Sequence, residues 1–175
     1  GIGIGIVRAL ADLGYGGLGL KWPNDVQVDG RKLAGILIEL GGDALGPCHA
    51  VIGIGLNLRL DAQAGTPIDQ AWTDLASIPG VPLPGRNVLA ARLLGRLLEV
   101  LDEFEQATFA AFVDEFARHD VLQGQTIRVI GAAAERAGTA VGVDRSGALR
   151  VRGATGDYLV DSGEISVRQV SGAGA

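Results

Sequence analysis

The spacing of apolar residues predicts three helices along the chain. Within residues 4–13, Ile6, Val7, Leu10 and Leu13 recur on one helical face, which is typical of a helix that buries one side. Residues 88–104 and 109–116 show the same periodicity, with leucine, valine or phenylalanine returning every three or four positions. We expect the two later helices to cover a sheet that the intervening segments form.

Strand-like runs lie between these helices and again after residue 120. Short apolar segments at 18–22 and 26–28 precede the tight turn Asp29-Gly30, and further strands are predicted over 32–40 and 50–58. After residue 120, the runs TIRVI, TAVGV, ALRVR, DYLV and ISV are separated by Gly, Ser and Asp turns, which predicts a small barrel. The pattern therefore indicates an α+β protein with a boundary near residue 120.

Composition narrows the class of protein and of partner. The chain has 175 residues, 47% of them hydrophobic and 20% charged, which is the range of globular domains. A net charge of −5 gives no general attraction for DNA or for an anionic membrane. There is no apolar run of the ~20 residues that a membrane span needs. Cys48 is the single cysteine, so no internal disulfide forms, and we expect a cytoplasmic protein.

Residues 21–32 concentrate the candidate chemistry. Lys21 precedes Trp22-Pro23, Lys32 directly precedes Leu33-Ala34-Gly35, and Asn24 and Asp25 lie between the two lysines. A solvated hairpin tip would also contain lysines and aspartates, and that interpretation stays open. Cations at the ends of apolar strands can instead meet an anion in a partly dry cleft, where charge interactions are stronger than in water.

Glycines and a tryptophan offer a second, weaker signal. Neither GIGIGIV nor GIGLNL contains a dinucleotide fingerprint, and no G-K-[ST] sequence occurs. Gly53 and Gly55 either let another element approach the strand closely or leave space for a ligand ring. Trp72 lies in polar sequence and either fills a gap in the core or stacks on a flat ring.

The segment KWPNDVQVDGRKLAGILIEL at 21–40, followed by AVIGIGLNL at 50–58, closely resembles the biotin protein ligase family. The dipeptide AW at 71–72 and SGEISVR at 162–168 extend the resemblance over essentially the whole chain. The resemblance implies a fold like that of class II aminoacyl-tRNA synthetases over residues 1–120, followed by an SH3-like barrel over 121–175. It also implies an enzyme that joins biotin to ATP, with Mg²⁺, and transfers the biotinyl group to a lysine of a carboxylase carrier domain.

The same resemblance implies roles for individual residues. Lys32 matches the lysine between the biotin carboxylate and the α-phosphate, and Asp25 either coordinates Mg²⁺ or holds the acceptor lysine. The residues implied are Lys32, Asn24 and Asp25 for catalysis; Lys32, Gly35, Leu37, Gly53, Gly55 and Leu56 for biotin; Lys21, Asn57 and Trp72 for ATP; and Glu164 and Arg168 in the barrel, for nucleotide or carrier.

The sequence departs from the family pattern at its front. The family's G-R-G-R-x-G-R loop and the strands that read the biotin ureido ring are not in these 175 residues, so we expect an N-terminally incomplete ligase without assignable repressor activity. Uncovered apolar surface and an unpaired strand edge would favour association, for example as a homodimer. Two alternatives stay open: a non-catalytic ligase remnant that binds a partner, and a lipoate ligase relative.

Overall fold

The computed structural model of the protein describes residues 1–42, 48–60, 71–131, 135–161 and 166–169. The helices are α1 (Ile2–Asp12), α2 (Arg86–Ala107) and α3 (Val113–His119), with short 3-10 turns at Leu75–Ser77 and Phe109–Phe112. The strands are β1 (Leu18–Lys21), β2 (Asp25–Val28), β3 (Arg31–Gly42), β4 (Cys48–Leu56), β5 (Thr126–Ile130), β6 (Glu135–Val143), β7 (Leu149–Gly153), β8 (Gly156–Val160) and β9 (Ser166–Gln169). The α+β class predicted from the sequence is confirmed.

The first sheet is an antiparallel meander in the order β1-β2-β3-β4. Its central hairpin turns at Asp29 and Gly30, whose φ angles are 50° and 71°. Positive φ at both central residues matches the twist of the flanking strands, so the predicted Asp-Gly turn is confirmed. The strand predicted at 32–40 is longer than expected, and the strand predicted at 50–58 begins and ends earlier. Both differences arise because pairing continues to Gly42↔Cys48 at the far end of the hairpin.

Helices α1 and α2 pack on each other through small and apolar residues. A Cβ atom at Gly5 would lie 3.0 Å from Leu97 Cδ2 and 3.4 Å from Val100 Cγ2, so glycine allows the two helices to approach closely. Arg8 then joins three helices, because its guanidinium contacts Glu103 of α2 and Glu115 of α3, each at 2.6 Å. This ion pair holds the pKa of Glu115 below its usual range.

The helix predicted over 109–116 is in fact two elements. Thr108 ends α2 with a φ of 58°, and a 3-10 turn at Phe109–Phe112 precedes α3. Phe109, Phe112 and Phe116 are all buried, and their spacing of three and then four residues suits a 3-10 turn as well as an α-helix. Apolar spacing alone therefore does not distinguish the two.

The second sheet is antiparallel in the order β8-β7-β6-β5-β9. Each of its five strands overlaps one of the five short runs identified in the sequence, and β6 begins four residues earlier than its run. Ile127, Leu149 and Val151 are fully buried in this part of the molecule, as expected when alternate residues of each strand face a core. The SH3-like name and the boundary near residue 120 stay predictions.

Several contacts join the two sheets. The Trp22 indole N–H donates to the carbonyl of Gly147 at 3.0 Å, and the Val121 amide donates to the carbonyl of Leu20 at 3.1 Å. A side chain at Gly19 would overlap Val121, so glycine is needed where the chain crosses β1. The described part of the chain contains no helix that is both long and apolar enough to cross a membrane.

Candidate functional site

The register of the first sheet collects the sequence-predicted residues on one face. Lys21 lies opposite Asp25, Asp25 opposite Gly35, and Gly35 opposite Gly55, so one row crosses all four strands. Leu37 and Gly53 form the next pair on the same side, since residues two apart in a strand share a face. We call this surface the site face; it carries Lys21, Asp25, Gly35, Leu37, Gly53 and Gly55.

Lys32 joins the site face through a β-bulge. Val26 pairs with Ala34 and Gln27 with Lys32, so Leu33 is an extra residue that reverses the alternation of β3. The Lys32 ammonium then reaches the carboxylate of Asp25, with Nζ 2.5 Å from Oδ1. Asp25 is only 9% exposed, and a buried carboxylate needs such a partner.

Gly35 makes room for this ion pair. A Cβ atom at position 35 would lie 3.1 Å from both Cε and Nζ of Lys32, and 3.8 Å from Asp25 Oδ1. Because the two distances of 3.1 Å are tighter than ordinary contacts, a side chain here would displace the lysine. The glycine of the L-A-G sequence is thus explained locally, because the Lys32 side chain lies close to where a Cβ atom at position 35 would be.

Lys21 and Arg168 add positive charge at the end of the row. Burial is the main cause that lowers the pKa of the Lys21 ammonium; nearby Asp25 raises it, and nearby Lys32 and Arg168 lower it further. Arg168 comes from β9 of the second sheet, where it lies opposite Arg128. Three cations thus act on a small region with the carboxylate of Asp25, an arrangement that attracts a polyanion such as a phosphate chain.

Asn24 is bound to the backbone of β3. Its side-chain amide donates to the carbonyl of Ile36 at 2.9 Å, and the Ile36 amide donates to the carbonyl of Asn24 at 2.9 Å. This pair of contacts continues the β2–β3 pairing past Asp25. In the described structure Asn24 therefore fixes the turn that presents Lys21 and Asp25.

The Trp72 segment runs alongside the start of β3. Trp72 forms a parallel bridge with Lys32, because the Lys32 amide donates to the carbonyl of Ala71 and the Thr73 amide donates to the carbonyl of Lys32, both at 2.9 Å. Trp72 is half-buried, whereas Trp22 is buried in the core. This difference favours the ring-stacking interpretation of Trp72 over a core plug.

Asn57, directly after β4, contacts both of these segments. Its side-chain amide donates to the carbonyl of Thr73 at 3.0 Å and to the carbonyl of Lys32 at a longer 3.4 Å. Its main-chain amide donates to the carbonyl of Leu33, and its carbonyl accepts from Leu75, both at 3.0 Å. The family resemblance implies a place for Asn57 in the ATP site, and in the described structure its side-chain nitrogen donates to carbonyls of the protein.

One residue predicted to contact biotin lies on the other face of the sheet, and one predicted residue cannot be placed. Leu56 pairs with Ala34, one step out of phase with Gly55, and so lies on the opposite face, where it packs against the core. Glu164 lies outside the described residues. The site face therefore carries Gly35, Gly53 and Gly55 beside Leu37, and Leu56 lies on the opposite face of the sheet.

Sequence reasoning included Arg168 of the second sheet but missed the contact that the turn at Gly147 makes with this region. A cavity of about 210 Å³ lies beside the site residues and is lined by Gly3, Lys21, Trp22, Asn24, Gly147 and others. Gly147 and Trp22 are 125 positions apart, and no local pattern indicates such a contact. The turn sequence around residue 146 predicts a hairpin, but it does not indicate which residues the hairpin contacts.

The site offers few protein ligands for Mg²⁺. No group of three or more His, Cys, Asp or Glu side chains that could hold a metal occurs within the described residues. Asp25 is one carboxylate, already paired with Lys32. Mg²⁺ is commonly bound by one or two carboxylates together with substrate phosphates, so this site fits magnesium as the companion of a nucleotide and not as a resident ion.

Comparison with known proteins agrees with this geometry. Residues 2–57 match the family model of the biotin/lipoate A/B protein ligase family, and residues 123–168 match that of the biotin protein ligase C terminal domain. The bifunctional ligase/repressor BirA of Escherichia coli is 34% identical over 169 residues, which are 95% of this chain and 51% of that protein. A biotin–[acetyl-CoA-carboxylase] ligase of Paracoccus denitrificans is 32% identical over 155 residues, covering 85% of this chain and 62% of that protein.

A solved structure shows the same fold. The biotin protein ligase of Aquifex aeolicus in complex with biotin and ATP superposes with a TM-score of 0.84 at 27% identity, over 97% of this chain and 69% of that one. The chain spans about half the length of the curated relatives it matches. With both family models, these relatives and the shared fold in agreement, the chain belongs to the biotin protein ligase family.

Proposed function

We propose that the intact protein is a biotin protein ligase. It joins biotin to ATP to form biotinyl-5′-AMP and pyrophosphate, and then passes the biotinyl group to a lysine of a carboxylase carrier domain. The observation that carries this proposal is the Lys32–Asp25 ion pair, set over Gly35 on a face of glycines. This places a fixed cation beside an open surface able to receive a flat apolar ring.

Biotin is proposed to lie along the site face. Gly53 and Gly55 bring no side chain to this surface, and the nearest atoms to a Cβ built on them are 3.6 and 3.9 Å away, so the strand has room for a ligand in contact with its backbone. Leu37, which is 62% exposed, would cover the apolar part of the ligand. The biotin carboxylate would then meet the ammonium of Lys32, and Leu56 would support the strand from behind.

The nucleotide is proposed to lie beside Lys32, with Lys21 and Arg168 on one side of it and Trp72 on the other. Lys21 and Arg168 would receive the phosphates of ATP with its Mg²⁺, and Trp72 would stack on adenine. One carboxylate oxygen of biotin attacks the α-phosphorus, the bond to the β-phosphate oxygen breaks, and pyrophosphate leaves. Lys32, lying between carboxylate and phosphate, reduces their repulsion and stabilises the charge that develops during attack.

The second step is proposed to use the same face. The amine of the carrier lysine attacks the acyl carbon of the adenylate and AMP leaves. Asp25 has two candidate roles, as a Mg²⁺ ligand or as the group that holds the acceptor lysine. Glu164 and Arg168 are proposed to contact the nucleotide or the carrier, and Asn24 to hold the loop that presents Asp25.

The experiment is intact-mass analysis of a biotin carboxyl carrier domain after incubation with the intact protein, MgATP and biotin. A mass increase equal to one biotinyl group, on the acceptor lysine, is expected. The family model matching residues 2–57 also covers lipoate ligases, so a parallel reaction with lipoate tests that second candidate. A carrier that gains neither group would support the third reading, a non-catalytic remnant that binds a partner.

We further propose a cytoplasmic protein that associates as a homodimer. The single cysteine fits a reducing compartment. Ile38 and Leu40, on the side of the β3–β4 hairpin opposite the site face, are 50% and 81% exposed, and exposed apolar surface of this kind favours association. Sedimentation velocity of the intact protein should give a dimer, and Leu40→Glu should shift it to monomer.

A further inference from the structure

The loop that joins β1 to β2 has a site residue at each end. Lys21 is the last residue of β1 and Asp25 is the first residue of β2, and the two lie opposite each other in the register. Residues 22–24 connect them, so the position of this short loop determines where both side chains lie. Asn24 attaches one side of the loop to Ile36 of β3.

The other side of the loop is attached to the second sheet. The side chain of Trp22 is buried in the core, and a buried indole N–H needs a hydrogen-bond acceptor. The acceptor is the carbonyl of Gly147, at 3.0 Å. A Cβ atom at Gly147 would lie 3.3 Å from the ring of Phe109, so the turn that carries this carbonyl packs closely against the core.

Asp144 orients the carbonyl that Trp22 needs. Its carboxylate oxygen Oδ1 accepts from the Ser146 amide at 2.8 Å, from the Ser146 hydroxyl at 2.6 Å and from the Ala148 amide at 3.0 Å. The Gly147 carbonyl and the Ala148 amide belong to one planar peptide unit, in which C=O and N–H point in opposite directions. A carboxylate that holds this N–H on one side therefore directs the C=O to the other side, where the indole lies.

The hydrogen bonds within the turn would not by themselves indicate a function. Aspartate side chains commonly bind the backbone of their own turn. The additional observation is what the oriented carbonyl of Gly147 contacts: it accepts from an indole whose chain neighbour is Lys21. A turn of the second sheet is thus connected through one hydrogen bond to the loop that presents the cation and the carboxylate of the proposed site.

We propose that Asp144 is a positioning residue for the proposed site and acts through the Gly147 carbonyl and the Trp22 indole. It thereby holds the β1–β2 loop, and with it Lys21 and Asp25, in place. The inference rests on the proposed function, in which Lys21 receives the phosphates of ATP.

A double-mutant cycle on the intact protein tests the proposal. Calorimetry gives the dissociation constants of MgATP and of biotin for wild type, Asp144→Ala, Trp22→Phe and the double variant; phenylalanine keeps an aromatic ring and removes the N–H donor. Asp144→Ala should weaken MgATP binding about tenfold and change biotin binding within a few-fold. In the Trp22→Phe background, Asp144→Ala should weaken MgATP binding no further, because the hydrogen bond that Asp144 orients is gone.

Two matched variants accompany the cycle. Asp144→Asn keeps the Oδ1 acceptor and should retain MgATP affinity within a few-fold of wild type. Asp157→Ala removes an exposed aspartate of β8 in the same sheet and should change neither dissociation constant.

A measurement without ligand tests the contact itself. The protein has two tryptophans, so a proton–nitrogen correlation spectrum should show two indole N–H signals, and the signal missing from Trp22→Phe belongs to Trp22. Asp144→Ala should shift this signal and speed its exchange with solvent. Asp144→Asn and Asp157→Ala should leave the signal in place.

Other outcomes overturn the proposal. An unchanged Trp22 signal in Asp144→Ala would show that the carboxylate does not orient the carbonyl, and unchanged MgATP affinity in a variant whose signal moves would show that the contact does not position the site. If Asp144→Asn weakens MgATP binding as much as Asp144→Ala, the negative charge acts and not the turn.

The cycle and the melting temperature exclude two further explanations. Effects of Asp144→Ala and Trp22→Phe that multiply in the double variant would mean that Asp144 acts by another route. Equal weakening of MgATP and biotin, with a large fall in melting temperature, would mean that Asp144 only supports the fold. If wild type binds neither ligand, the proposed function fails, and the indole signal still decides whether Asp144 orients the contact at Trp22.

Discussion

The two faces of the β3–β4 hairpin are made by the same strands and have opposite properties. On the back face, Ile36 lies opposite Ile54 and both pack against the core. On the site face, the neighbouring pair is Gly35 and Gly55. One sequence with a period of two residues thus supplies both a core and the proposed binding surface, and a substitution should affect folding or ligands according to the face on which it falls.

Loss of the Lys32 cation should give the largest effect on the site face. Lys32→Ala in the intact protein should slow biotinyl-adenylate formation by about 10²–10³-fold, as for the loss of a preorganised charge-stabilising group. The melting temperature should fall as well, because Asp25 is only 9% exposed and loses its cation, but the effect on the rate should be the larger of the two. Single-turnover quench-flow measures the rate, and Arg31→Ala, an exposed neighbouring cation, is the control. An unchanged rate would remove Lys32 from the site.

A paired substitution separates the two faces directly. Gly55→Val adds a side chain where the nearest atom to its Cβ is 3.9 Å away, so the fold should accept it, while biotin binding should weaken by about 10–100-fold through loss of space, or about 1.4–2.8 kcal/mol. Ile54→Ala, on the back face, should lower the free energy of unfolding by roughly 2 kcal/mol and leave biotin affinity within a few-fold. Denaturant titration and calorimetry measure both quantities. The same pattern in both variants would show that the faces are not separate.

Trp72→Ala should affect the nucleotide more than biotin. Stacking of an aromatic ring on a base contributes roughly 1–3 kcal/mol, so MgATP affinity should fall about ten- to a hundredfold while biotin affinity stays within a few-fold. Calorimetry with each ligand, and the melting temperature of the same variant, check this. Equal losses for both ligands together with a large drop in stability would return Trp72 to the core-plug interpretation.

The smallest expected effect is a pH dependence from Lys21. Burial lowers the pKa of this ammonium from its ordinary 10.5, so the proton leaves the folded protein at a lower pH than it leaves an unfolded chain. As pH rises through this lowered pKa, the positive charge is lost and MgATP binding should weaken. In the same window the unfolded chain holds more protons, so the stability contribution of Lys21 rises with pH. Lys21→Arg should remove the decline in MgATP affinity, which is measured from pH 7 to 10 for both proteins. A decline that persists in this variant would show that another group causes it.

Much of this arrangement could be predicted from the sequence. The Asp29-Gly30 turn sets the β2–β3 hairpin, and alternation within each strand then places Gly35 and Gly55 on a common face. The position of Lys32 could not be predicted in this way, because it depends on the bulge at Leu33, and without the bulge Lys32 would face the core side. A two-residue period carries no information about where an extra residue is inserted.

Contacts between distant segments also could not be predicted from the sequence. The Trp22–Gly147 hydrogen bond joins two sheets, and the attachment of Trp72 to Lys32 joins segments 40 positions apart. Each contact depends on how complete helices and strands pack against each other. Turn residues, helix caps and periodicity indicate only the conformation of residues that are close in sequence. Leu56 shows the reverse case, since alternation with Gly55 already implied that the two residues lie on opposite faces.

The most direct test of the account is mass-spectrometric detection of biotinyl-5′-AMP after the intact protein is mixed with biotin and MgATP without any carrier. The proposed position of Lys32, between carboxylate and phosphate, predicts that biotinyl-adenylate forms and that Lys32→Ala forms it far more slowly. Absence of the adenylate under conditions where both ligands bind, or formation of lipoyl-adenylate in preference to biotinyl-adenylate, would contradict the account.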